Sequence, residues 1–412
     1  MPDPIVRTTN VAMLFKLEDT ENVDAAPTAA DAFPFEEDGY SYNSPYATED
    51  SNEANGSFVS AAPLVIGKPA EITIRCRLKG AGGSAPYSAS VKPPHHALLS
   101  AAGLRGLFTA AIAAAALTAG TATSATLGAT FPATAQALRG MPLVISGGPG
   151  NGQTPFITDY TAGKVATLSD TMPELTTSTM AGIPDNWTYA GTSPQDVSAR
   201  TADHPSGTLY IYEDGTLLKF TGCRATLQDI STDTARPGFV TFKLMGVFAG
   251  KSDAAIPSNL ASPGHSAPIL AQGLGGLDPA FLVNRLPLPI ASMALRLESA
   301  LESPDDPNTA YGFSAAQIGE RTPMLTCNPL ATMVAVRNTL SQIAAFAQYP
   351  GVVRCGSALR NRWGATMPIL QPVESAPGTR GQFRSEELSL RILSPADRDP
   401  QSRDNELVLC FW

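Results

Sequence analysis

The chain has 412 residues, 43% of them apolar, which is enough for two or three cored domains and excludes wholesale disorder. Charged residues make up only 16%, against roughly 25% in ordinary soluble domains, so a subunit that hides surface against neighbours fits better than a lone monomer. The net charge of −9 excludes a strongly basic nucleic-acid groove: between Leu17 and Glu53 there are eleven carboxylates and no Lys or Arg, and the remainder is close to neutral.

In chain order, Val6–Lys16 reads as a first strand or short helix. The acidic stretch that follows has no sustained period and reads as a long arm, about residues 22–62. A solvated loop is the plainer reading. The alternative is an arm that meets a positive surface on a neighbouring subunit, with Asp24, Phe33, Phe35, Glu36, Glu37, Asp38, Tyr40, Tyr42 and Tyr46 as candidate contacts between rings. Glu71–Lys79 alternates, placing Ile72, Ile74, Cys76 and Leu78 on one face of a strand. Pro93–Pro94 then predicts a helix from about His95 to Ala116. The apolar run Leu107–Gly120 is too short for a membrane span, which needs about 20 residues.

Residues 121–190 are rich in Thr, Ala, Ser and Gly, with short strands near Pro142–Ser146, Thr154–Tyr160 and Lys164–Ser169; they predict a small inserted β domain. Gly207–Thr221 is the clearest local signal, two alternating segments about Asp214-Gly215, whose backbone tolerates the positive φ of a tight hairpin turn. Strands at Cys223–Ile230 and Gly238–Phe248 follow, then a Pro/Gly/Ser-rich linker, residues 256–285. The second half predicts strands at Ser292–Glu298 and Thr322–Cys327, and a helix at Leu330–Gln348 with Met333, Val336, Leu340 and Ile343 on one side. Strands near Gly351–Cys355, Trp363–Val373, Phe383–Ile392 and Glu406–Trp412 complete it.

The halves repeat an order: strand, helix, hairpin, strand. Leu217–Ser231 aligns in pattern with Asn361–Ser375, and Phe239–Ala249 with Phe383–Ser394, at low identity. The working architecture is mainly β with flanking helices (α+β). Residues 1–120 and 191–255 form a first unit, 121–190 an insertion and 286–412 a second unit.

No catalytic constellation emerges. Gly147–Thr154 has P-loop spacing, but Gln153 stands where the lysine belongs and a strand-like segment follows. The four histidines, His95, His96, His204 and His265, lack metal-ligand spacing, and no G-x-S-x-G occurs. The expectation is a non-enzyme with no cofactor and no metal. Five scattered cysteines without a C-x-x-C pair, and an opening MPDPIVRTT without an apolar signal core, predict reduced thiols and synthesis in a cytoplasm.

Four segments carry a resemblance. They are VRTTNVAMLFKLEDTENVDAAPTAADAFPFE, SFVSAAPLVIGKPAEITIRCRLKG, the block from His204 to Gly250, and the closing NELVLCFW. In this order the chain resembles the major tail tube proteins of tailed bacteriophages, over about two-thirds of its length. The resemblance implies a β-sandwich or barrel-like unit, rings of six units stacked into a tube that conducts DNA, and a place in the virion tail. It also implies tape measure, tail terminator and distal tail proteins as partners. With two units per chain, three chains make a pseudo-hexameric ring; a hexamer is the alternative. Two further readings are a host-surface binding role for the insertion and a ring protein of a contractile injection system.

Overall fold

The computed structural model describes residues 5–51, 56, 59, 62–83, 85–261, 267–274, 278–309, 311–397 and 403–412. Strands dominate, with three short α-helices among the described residues, so the mainly-β expectation holds. The chain begins with β1 (Val11–Leu17), β2 (Tyr40–Tyr42), β3 (Tyr46–Glu49), β4 (Leu64–Gly67), β5 (Ala70–Arg77), α1 (His96–Ala101) and β6 (Leu104–Thr109). A module of small sheets follows: β7 (Ile112–Ala116), β8 (Ala119–Gly120), β9 (Ser124–Thr126), β10 (Val144–Ile145), β11 (Ile157–Tyr160), β12 (Val165–Leu168) and β13 (Met180–Ile183). The first half resumes with β14 (Asn186–Gly191), α2 (Val197–Asp203), β15 (Gly207–Glu213), β16 (Thr216–Asp233) and β17 (Phe239–Asp253). The second half holds β18 (Phe281–Val283), β19 (Leu286–Pro287), β20 (Ile290–Arg296), β21 (Ser299–Glu302), β22 (Gln317–Arg321) and β23 (Met324–Pro329). It closes with α3 (Thr339–Ala344), β24 (Tyr349–Cys355), β25 (Trp363–Arg380), β26 (Phe383–Leu393) and β27 (Val408–Phe411).

One antiparallel sheet unites both halves, and its strand order repeats. The first half runs β1-β15-β16-β17-β5-β2; the second runs β18-β24-β25-β26-β23-β20. Each set has the same chain order, with a helix, α1 or α3, before its hairpin. The halves join where Ile230–Asp233 of β16 pair with Ser292–Leu295 of β20. Bulges match too, at Leu227/Asp229 in β16 and Pro372/Glu374 in β25. Opposite them stand Phe242 and Leu390, which pair in turn with Ile74 and Leu325. This register makes Cys76 and Cys327 equivalent. It corrects the pattern alignment of β16 on β25 by one residue and that of β17 on β26 by four, Phe242 matching Leu390 and not Glu386. Ile230, not Ser231, corresponds to Ser375. A one-residue slip exchanges the two faces of a strand, so the bulges decide it.

Both long predicted helices are corrected. Of His95–Ala116 only α1 is helical; Gly103, at φ +72, ends it and Leu104–Thr109 pairs with β14. Of Leu330–Gln348 only α3 remains, because Leu330 and Ala331 still bridge β26 and the Asn338 side chain caps the helix from Ser341 onward. Cys223–Ile230 is not a separate third strand but the continuation of β16 past a bulge at Gly222, φ +60. The predicted linker ends early, since Phe281–Val283 is the first strand of the second set.

The inserted module has its own core, with Leu117, Phe131, Leu143, Tyr160, Leu168 and Ile183 among its members. Its bounds differ from 121–190. Ile112–Ala116 pairs within it, while Asn186–Gly191 returns to the main sheet between β6 and β27. The main core collects Ile72, Ile74, Phe220, Phe242, Leu295, Leu325, Trp363 and Leu390 across both halves.

Candidate assembly interface

The predicted arm is largely fastened to its own chain. Phe33 is buried in the main core; Phe35 packs 6.3 Å from it and edge-on to Tyr40 at 5.9 Å. This corrects the expectation that Phe33 and Phe35 anchor a neighbour. Asp24 accepts from the Tyr210 hydroxyl at 2.6 Å and from Lys219 at 3.2 Å. Burial alone pushes its carboxyl up, but these donors and the Ala26 amide hold it below the usual carboxylate range. Glu36 pairs with Arg77 at 2.5 Å. The Tyr40 and Tyr42 hydroxyls donate to Glu213 at 2.9 and 3.3 Å, and burial, with Glu213 beside them, raises both phenols. The Tyr46 and Tyr311 hydroxyls stand 3.4 Å apart. Glu37 and Asp38 are exposed.

The Asp214-Gly215 turn is as expected, at φ +40 and +102, and the Asp214 carboxylate accepts from the Arg7 amide and the Asn10 side chain. Residues 147–154 form turns between β10 and β11, and a strand rather than a helix follows, so the P-loop-like spacing does not meet a helix N-terminus. His95 and His204 are buried and His96 partly so. Nε2 of His95 lies 3.0 Å from the Arg77 carbonyl and that of His204 3.0 Å from the Thr192 carbonyl. Among the described residues no group of His, Cys, Asp and Glu is placed to hold a metal ion; His265 lies outside them. The described helices include none long and apolar enough to cross a membrane.

What stays open is a set of edges and apolar surfaces that pattern reading missed. In the β3–β4 hairpin, Leu64, Val65 and Ile66 are exposed, Val65 at 69%. Around α3, Met333, Val334, Val336, Leu340 and Phe346 are each about 70–80% exposed, whereas Leu98 and Leu99 of the equivalent α1 are buried. So many large apolar side chains left in water at two places are unusual for a surface that meets only solvent. Among the open backbone edges of the main sheet are the far side of β2, and the side of β25 beyond Leu370, where β24 stops pairing. The prolines Pro372 and Pro377 were the available signal, since proline within a strand marks an edge or a bulge.

The inserted module is tied to the second half. Arg354 of β24, fully buried, donates to Asp170 at 2.6 and 3.0 Å and to the Thr154 carbonyl at 2.8 Å. Burial raises the nearby Asp278 carboxyl even with Arg354 beside it.

No protein-family model matches the chain, and no curated protein matches it by sequence.

Proposed function

We propose that this chain is a non-catalytic ring subunit, the tail tube protein of a tailed bacteriophage, with two tube-like units per copy. The observation that carries the reading is the strand order found twice within one continuous sheet. A protein that already joins two like units edge to edge is suited to joining further copies the same way. Three copies then supply six units, and rings stack into a tube. The exposed apolar surfaces on β4 and around α3 become buried against neighbouring copies. The acidic balance suits a conduit through which DNA slides, because phosphate contacts by Lys and Arg supply most non-specific affinity. The tape measure, tail terminator and distal tail proteins are the partners this reading implies, in the virion after synthesis in the host cytoplasm.

Negative-stain electron microscopy of the purified protein tests it. Rings with three-fold symmetry, alone or stacked, are expected. Six copies per ring would overturn the two-unit reading, and dispersed monomers would overturn assembly altogether. Rings of the purified protein would fit a contractile injection system equally, and micrographs of whole particles, with or without a DNA-filled capsid, separate the two. A second role, host-surface binding, is favoured for the inserted module by its separate core. Excising residues 112–183 is expected to leave rings intact and to reduce adsorption to cells.

A further inference from the structure

The junction inside one copy is a template for the junction between copies. At the internal junction the Thr234 amide donates to the Ala291 carbonyl at 2.8 Å, so Ile230, Thr232 and Thr234 direct their backbone groups at β20. The equivalent segment of β25, from Ser375 onward, has no strand on that side among the described residues. Arg380 and Phe383 flank a two-residue turn, so alternation along β25 turns Ser375, Pro377 and Thr379 outward, matching Ile230, Thr232 and Thr234.

The partner edge is on the same chain, at the other end of the sheet. Tyr40 of β2 stands opposite Ile74 as Leu295 of β20 stands opposite Leu325, so β2 corresponds to β20. The Arg75 amide donates to the Gly39 carbonyl at 2.7 Å and the Asn43 amide to the Glu71 carbonyl at 3.0 Å. Gly39, Ser41 and Asn43 therefore face β5, while Tyr40 and Tyr42 present their backbone groups outward; Glu37 and Asp38 lie just before them, in the turn that the Gly39 amide closes on the Glu36 carbonyl at 2.9 Å. This agreement was free to fail: had either edge turned the other set outward, the two could not pair as the internal strands do. Charge agrees as well. Glu37 and Asp38 are exposed on one edge, and Arg380 and exposed Arg384 flank the other.

We infer that the β2 edge of one copy pairs antiparallel with the open edge of β25 in the next copy, with Tyr40 opposite Ser375. The occupant of each edge is a second copy of this chain. Pro377 removes one donor from the open edge, which limits pairing with unrelated strands while its carbonyl still accepts. The pairing rests on the ring reading and fixes its register.

Disulfide trapping tests it. All five native cysteines are buried, so an introduced pair dominates the chemistry. Chains carrying Tyr40→Cys and chains carrying Ser375→Cys, mixed and oxidised, should give a linked dimer that neither gives alone. Facing residues in such a ladder lie about 5.5 Å apart between Cα atoms, within disulfide reach. The doubly substituted chain should give a ladder ending at three. Circular dichroism matching the parent shows each variant folded; a misfolded Tyr40→Cys is replaced by Asp38→Cys with Pro377→Cys, the next positions along the two edges. Rings in the micrographs without this crosslink, or preferential linking of Tyr40→Cys to Ala376→Cys, would overturn the register and leave the ring reading standing. A ladder running past three would keep the edge pairing and overturn the trimer. Folded variants with neither crosslink nor rings would overturn both.

Discussion

Glu18 shows how much one side chain organises. Its carboxylate, buried, accepts from the Ser206 hydroxyl at 2.6 Å, the Thr208 hydroxyl at 2.9 Å, and the Asn22 and Gly222 amides at 2.8 Å each. It thereby fastens the start of the arm to the bulge in β16. Glu18→Ala leaves four donors without their acceptor, and a loss of about 3 kcal/mol is expected in urea unfolding, on the scale of buried groups left unsatisfied. The histidine pair at α1 sets a pH dependence. Burial pushes His95 and His96 down to about 4 from an ordinary 6.5. Between those values the unfolded chain binds more protons than the folded one, so stability falls as pH drops from about 6.5 toward 4 and is unaffected by these groups above that range. Thermal melts at stepped pH check this, and His95→Gln should flatten the slope.

At the scale of elements, two attachments make separable predictions. Arg354→Met removes the cation between Asp170 and Asp278 while keeping side-chain bulk. Uncompensated carboxylates in a buried site cost about 3–5 kcal/mol, so the variant should melt lower and its residues 112–183 should be cut faster by protease. The β3–β4 hairpin is attached differently. It leaves the sheet after β2, and a Cβ on Gly67 would stand 2.0 Å from the Tyr311 carbonyl oxygen, so its base sits tightly on that loop. Shortening the hairpin between Tyr46 and Gly67 to a tight turn is expected to leave single rings and abolish stacks, as counted in micrographs. A wider deletion, Asp24–Ser57, would strip Phe33 from the core and β2 from the sheet, so it would test folding and not stacking.

The main sheet has one junction made and, among its open edges, two that match that junction, β2 and the far end of β25. Hidden edges protect a β protein from promiscuous pairing, and a closed ring hides these two. Reversing charge on one edge with Glu37→Lys and Asp38→Lys is therefore expected to shift the protein from rings to monomers in analytical ultracentrifugation. Because both side chains are exposed, the monomer should keep its melting temperature. Arg384→Glu on β26, beside the second edge, combined with them, should restore part of the assembly.

Local chemistry made part of this legible. Alternation in Glu71–Lys79 and the Asp-Gly turn specify a strand and a hairpin whatever surrounds them, since each depends on residues in contact along the chain. The order of elements in each half was also legible. The long helices were not, because Ala-rich apolar segments satisfy both periods and a partner strand decided between them: β14 captured Leu104–Thr109, and β26 held Leu330 and Ala331. The assembly edges were least legible. Whether Tyr40 or Ser375 presents free backbone groups depends on which distant strand stops pairing beside it. Sequence alone determined that this is a β protein of two similar halves; the tertiary structure decided which edges remain open, because an edge is defined by the neighbour it lacks.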